Sequence, residues 1–186
     1  MGLVSHFIRA TSVLTLLFLV GCASTPKPPI AQISLNVQSN INPYSDGIAK
    51  PEARPVVIRF YELSSLAAFN TTDFFSVFSN YNETLNTELL NSEEFQISPG
   101  EKLKFSRTLN LDTRYVGVIA AFRDLEHAQW RATAAVPPGE KNPELYVLLK
   151  ENKVMVGAKP ACGFFCQLWS PKPPVGSLYE IIEPTK

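Results

Sequence analysis

The chain has 186 residues, 45% of them hydrophobic and 18% charged, with 17 Lys and Arg set against 17 Asp and Glu. That length allows one domain with a sizeable core and excludes two full-sized ones. Balanced charge removes the basic surplus that nucleic-acid binding or a polybasic membrane patch requires, and three cysteines leave one unpaired in an exported protein.

Residues 1–21 carry Arg9 as their only Lys, Arg, Asp or Glu, then an apolar run from Val13 to Val20 broken by Thr15. This is the layout of a secretory leader, too short to span a bilayer as a stable helix. Leu19-Val20-Gly21-Cys22 resembles the bacterial lipobox, where a peptidase cuts before a cysteine already lipidated on sulfur. Cys22 then starts the mature chain. One acyl chain, at about 0.8 kcal/mol per buried CH₂, binds only marginally, so the three chains of a bacterial lipoprotein make the anchor permanent. Ala23, rather than Asp, follows the cysteine, which under the sorting rule of enteric-type bacteria implies the outer membrane. Residues 22–31 form a Pro-rich linker, extending about 3 Å per residue in polyproline conformation.

The domain is expected over 32–157. Gln32 to Gln38 alternates polar and apolar with period two and predicts a half-buried strand. Asn40 to Arg54 is a long loop rich in Asn, Pro and Asp, and Pro55 to Leu63 is a β-branched and aromatic second strand. The two strands face each other across a connection far longer than an ordinary hairpin loop. From Ser64 to Leu90, Leu66, Phe69, Phe74, Phe75, Val77, Phe78, Tyr81, Leu85, Leu89 and Leu90 recur at helical spacing. They predict two or three short helices whose aromatic stripe covers a sheet, with a helix start at Thr71 or Thr72 ahead of Asp73.

Strand character resumes at Glu94–Ile97, turns at Ser98-Pro99-Gly100, and continues through Leu103 and Phe105 to Leu109. Tyr115 to Phe122 is nearly free of polar residues and predicts a central strand buried on both faces. Gln129–Val136 and Leu145–Lys150 supply two more. Seven candidate strands without βαβ alternation point to a mainly β, two-sheet sandwich with a short helical insertion.

Residues 158–186 form a C-terminal extension with four prolines between positions 160 and 174. Its Cys162 and Cys166 are expected to form a disulfide in an oxidising envelope, given a backbone turn at Gly163. Structural zinc would need four ligands, and only two are near. Phe164, Phe165, Leu168 and Trp169 make an apolar cluster expected to pack on the domain or meet a neighbouring subunit or the cell wall.

Catalytic motifs are absent. His127 is the only histidine after the leader, so no His pair can hold a metal, and no G-x-S-x-G, P-loop or dinucleotide fingerprint occurs. An exposed loop histidine is the simpler reading of Asp124-Leu125-Glu126-His127. No enzyme activity, resident metal or cofactor is expected beyond the covalent lipid on Cys22.

An ordered set of short matches is similar to one family, the outer-membrane lipoprotein of the bacterial type VI secretion system (the TssJ, SciN or VasD component). The set runs Asn42-Pro43 and Gly47; Arg54-Pro55-Val56-Val57-Ile58-Arg59-Phe60-Tyr61-Glu62-Leu63; Phe69, Asp73-Phe74 and Phe78; Ser98-Pro99-Gly100-Glu101; Tyr115 to Asp124; and Trp130-Arg131. The resemblance implies a transthyretin-like β-sandwich with added helices, anchored in the outer membrane and facing the periplasm. It implies binding to the periplasmic carboxy-terminal region of the large inner-membrane subunit (TssM-like), through the loop between the first two strands. On this chain that loop is Asn40, Ile41, Asn42, Pro43, Tyr44, Ser45, Asp46 and Gly47, with Tyr44 and Ile41 the favoured anchors because aromatic and apolar side chains dominate hot spots. The competing expectations are a periplasmic lipoprotein binding a small ligand or glycan, and an envelope hydrolase built on His127 or paired carboxylates.

Overall fold

The computed structural model describes residues 25–45 and 50–159. Cys22, Asp46, Gly47, Cys162 and Cys166 lie outside them. Among the described residues, eight strands form two four-stranded sheets: β1 (Ile30–Val37), β4 (Lys102–Thr108), β7 (Glu144–Lys150) and β8 (Lys153–Ala158) in the order β4-β1-β7-β8, and β2 (Val56–Leu63), β3 (Leu89–Ile97), β5 (Tyr115–Ala120) and β6 (Arg131–Ala135) in the order β3-β2-β5-β6. The first two strands therefore belong to different sheets, and the long connection crosses from one to the other. Ile33, Leu35 and Val37 of β1 share one core with Val56, Ile58 and Phe60 of β2.

Period-two alternation in β1 turns Ala31, Ile33, Leu35 and Val37 inward and leaves Gln32 exposed. The strand starts two residues earlier than expected, because Ile30 N donates to Lys141 O and Leu109 N to Pro29 O at 2.8 and 2.9 Å. β1 pairs antiparallel with β4 but parallel with β7. The β5 reading holds: Val116, Val118 and Ala120 face the main core while Ile119 faces a second one.

That second core is the work of the insertion. Three helices, α1 (Ala67–Thr71), α2 (Phe74–Ser79) and α3 (Tyr81–Leu85), and a 3-10 turn at Asn86–Glu88 lie over the outer face of the second sheet. Phe69, Val77 and Leu85 pack there on Tyr61, Leu63 and Ile119. The α2 start is one residue later than expected: Asp73 itself caps, its carboxylate accepting from Ser76 N at 3.0 Å. Leu89 and Leu90, read as helical, instead open β3: Leu89 pairs with Leu63 at the end of β2, and Leu90 falls at the register shift beside it.

The eighth strand corrects the count of seven. Glu151, at φ +52, turns the chain within two residues, and Lys153–Ala158 returns along β7. β1 and β8 thus begin and end at one pole of the sandwich, which also carries the linker and the loops at 109–114 and 136–143. The other pole carries the β1–β2 loop, the 98–101 turn, the β5–β6 loop and the β7–β8 turn. One eight-residue strand, about 25 Å long, separates them.

Candidate functional site: the loop pole

The β1–β2 loop is held from below by Asn42, only 2% exposed and at φ +46. Asparagine is among the few non-glycine residues that tolerate this left-handed backbone. Its N–H donates to Glu151 O at 2.8 Å, its Nδ2 to Pro55 O at 2.9 Å, and its Oδ1 accepts from Arg123 N at 2.9 Å. One side chain and its backbone thereby join the β1–β2 loop to the β5–β6 loop and the β7–β8 turn. Asn40 Nδ2 adds a longer bond of 3.4 Å to Glu151 Oε1.

Beyond Asn42 the chain rises to the surface. Tyr44 and Glu52 exchange two backbone hydrogen bonds of 2.9 Å, closing the neck of the loop. The Arg123 guanidinium stands over the Tyr44 ring, 4.3 Å from its centroid, so the ring is fixed in place while 41% exposed. Arg54 forms an ion pair with Glu52 at 2.9 Å, and its N–H reaches Ile41 O at 3.3 Å.

The eight residues expected at the interface have different places. Ile41 is fully buried in the main core, so it supports the loop and offers no surface anchor. Asn42 is equally internal. Asn40, Tyr44 and Ser45 are exposed and Pro43 half-buried, whereas Asp46 and Gly47 lie outside the described residues. Arg123, Glu52 and Glu151 were not singled out for this pole, and their contribution comes from contacts across up to 111 positions of sequence, as between Asn40 and Glu151. No local pattern reports such a contact; only the Arg123-Asp124 ending of the β5 motif hinted that this loop mattered.

His127 sits exposed on the same β5–β6 loop, with Nδ1 2.9 Å from Asp124 Oδ1. That hydrogen bond holds the Asp124 carboxyl below the usual carboxylate range. Among the described residues, no group of three or more His, Cys, Asp or Glu side chains is arranged to hold a metal ion, and no helix is long and apolar enough to cross a membrane.

Residues 29–159 match the model of a family described as type VI secretion lipoprotein, VasD, EvfM, TssJ. Among solved structures, the type VI lipoprotein TssJ1 from Pseudomonas aeruginosa is 36% identical, with a TM-score of 0.65 over 73% of this chain and 99% of that one. Lip from Serratia marcescens, a membrane-bound component of the type VI system, is 24% identical, with a TM-score of 0.61 over 69% and 97%. A chain in the structure of the type VI protein TssM C-terminal domain from EAEC is 21% identical, with a TM-score of 0.52 over 68% and 98%. The last two likenesses speak for the fold alone. Among curated proteins, none matches.

Proposed function

We propose, from the premise that this chain belongs to the type VI secretion lipoprotein family, that it is the outer-membrane lipoprotein of the secretion membrane complex. Lipid on Cys22 tethers it, and the loop pole binds the periplasmic carboxy-terminal region of the large inner-membrane subunit. The observation that carries this reading is the placement of the Tyr44–Arg123 stack. It stands at the pole opposite the linker, so a domain tethered through residues 22–29 presents it away from the membrane, toward a partner rising from the inner membrane. The choice of partner rests on membership of the type VI secretion lipoprotein family.

Tyr44 supplies the exposed anchor and Asn40 and Ser45 flank it, with Asp46 and Gly47 completing the loop. Ile41 and Asn42 hold the loop in shape and make no contact of their own. The role is structural and not enzymatic. His127 is committed to Asp124 on an exposed loop, and membership of a structural secretion family points the same way.

The test is capture of the partner's periplasmic region by the soluble mature chain, together with fractionation of cells carrying Cys22→Ser. Capture by the loop pole and release of Cys22→Ser from membranes are expected. Retained membrane association of Cys22→Ser would refute the lipid tether.

A further inference from the structure

We infer, resting on the docking reading above, that the partner's contact surface presents a carboxylate to Arg123, which makes Arg123 a specificity-determining contact as well as the support of the Tyr44 ring. Its backbone is fixed by the N–H bond to Asn42 Oδ1 at 2.9 Å, and its guanidinium by the Tyr44 ring, 4.3 Å from the centroid. Both residues are exposed. Contact with a ring face engages none of the guanidinium N–H donors, and among the described residues the guanidinium forms no hydrogen bond or ion pair. Those donors face solvent.

Most carboxylates of this pole are already engaged. Asp124, the chain neighbour of Arg123, bonds His127 at 2.9 Å, Glu52 pairs with Arg54 at 2.9 Å, Glu151 receives the Asn40 amide at 3.4 Å, and Glu101 accepts from Ser98 N at 2.7 Å. Glu126 is exposed on the same loop as Arg123 and forms no ion pair among the described residues. Lys50, Lys102, Lys150 and Lys153 are exposed here too, and none of them forms an ion pair among the described residues. A chain of zero formal charge therefore places, at the end assigned to the partner, more cations than carboxylates outside ion pairs.

Burial of Tyr44 sets the requirement. A partner that covers the ring also strips water from a cation 4.3 Å away, and a desolvated guanidinium without an acceptor is costly. A carboxylate answers both the charge and the shape, because the guanidinium fork takes both its oxygens in a bidentate pair. The stack on Tyr44 pre-organises that fork, so little side-chain freedom is lost on contact. Lys50, Lys102, Lys150 and Lys153, on flexible stems around it, add attraction at longer range and favour an acidic surface during encounter. Arg123 thus selects the partner, and the lysines speed its approach.

The experiment measures binding of the soluble Cys22→Ser chain to the periplasmic carboxy-terminal region of the large inner-membrane subunit, at low and at high salt. Arg123→Gln and Arg123→Glu both keep the backbone N–H that bonds Asn42, and should keep the urea midpoint of the parent. Arg123→Gln should bind about thirty-fold more weakly, and Arg123→Glu at least about ten-fold more weakly again. Added salt should weaken the parent more than it weakens Arg123→Gln. In a scan of single acidic residues of the partner region changed to Arg, one change should weaken the parent and restore binding to Arg123→Glu, without restoring it to Tyr44→Ala. Equal affinities of Arg123→Gln and Arg123→Glu would assign Arg123 to ring support alone and overturn the inference. A scan without a rescuing change would overturn it too, by pointing to a neutral acceptor. Weak binding by Tyr44→Ala beside full binding by Arg123→Glu would remove the carboxylate and leave docking at this pole standing. No binding by the parent would overturn the docking reading and the carboxylate contact with it.

Discussion

The ring of Phe69 occupies the space that a side chain on Gly117 would need: a Cβ built there would lie 2.6 Å from Phe69 Cζ. Phe69 cannot easily give way, since it packs edge-on to Tyr61 at 5.5 Å between centroids and its carbonyl, with that of Thr72, accepts from Arg131 Nη1. This contact seats the helical insertion on the second sheet.

Gly117→Ala should therefore destabilise the domain by about 1–3 kcal/mol through overpacking. In a Phe69→Ala background, itself costing about 3–5 kcal/mol, the added methyl should be neutral or helpful. Urea unfolding of the four proteins in a double-mutant cycle reads the difference. Additive costs would show that the two residues do not share the space.

A second prediction concerns the edge where the sheets meet. Glu62 on β2 is fully buried and accepts from Arg107 Nε at 2.7 Å, Asn110 N at 2.8 Å and Thr113 Oγ1 at 3.1 Å. Arg107, on the opposite sheet, also pairs with Glu93. Arg107→Met removes the only cation bonded to Glu62 among the described residues and should cost about 3–5 kcal/mol. Adding Glu62→Met should recover part of the loss, the remainder reflecting the stranded Asn110 and Thr113 donors. A small effect of Arg107→Met on the urea midpoint would contradict this.

The Tyr61 phenol gives a pH signature. Burial pushes it from 10.0 up to about 12, against a lowering by nearby Arg59, while its hydroxyl donates to Val77 O at 2.7 Å. A phenol raised in the folded state contributes stability that is complete below its unfolded value and is lost as pH climbs through the folded one. The advantage of the parent over Tyr61→Phe, about 1 kcal/mol near pH 9, should disappear between pH 10 and about 12. Thermal unfolding across that range checks it, and a difference independent of pH would refute it.

How much of this was visible in the residues depends on whether the signal was local. Period-two alternation marked β1, and the unbroken apolar run marked β5 as doubly buried. The Phe69-to-Leu85 stripe indicated that helices cover a sheet. β8 was missed although Val154 and Val156 alternate, because a Glu-Asn turn at positive φ carries none of the glycine that usually announces a tight hairpin. Leu89 and Leu90 fit helical spacing, and only the pairing of Leu89 and Asn91 with β2 makes this stretch strand. The loop pole was legible as a position in the chain, but not as a construction. The Asn42 to Arg123 bond joins residues 81 apart, and burial of Ile41 follows from the meeting of the two sheets.

Asn42 provides a prediction that separates shape from contact. Asn42→Ala removes two side-chain hydrogen bonds and strains a left-handed backbone, so stability should fall by about 2–3 kcal/mol. Asn42→Gly should regain about 1 kcal/mol, the backbone share alone. Urea midpoints test this, and an Asn42→Ala protein as stable as the parent would contradict the clasp.

Docking through the loop pole is tested most directly by the affinity of the soluble Cys22→Ser chain for the periplasmic carboxy-terminal region of the large inner-membrane subunit. The set to compare is the parent, Tyr44→Ala, Arg123→Ala and, as a control on the helical face, Phe75→Ala, whose side chain is exposed. Tyr44→Ala should bind at least about ten-fold more weakly, the equivalent of 1.4 kcal/mol or more at a hot spot. Arg123→Ala should weaken binding in the same direction by releasing the ring, and Phe75→Ala should bind like the parent. No binding by the parent, or full binding by both Tyr44→Ala and Arg123→Ala, would contradict docking at this pole.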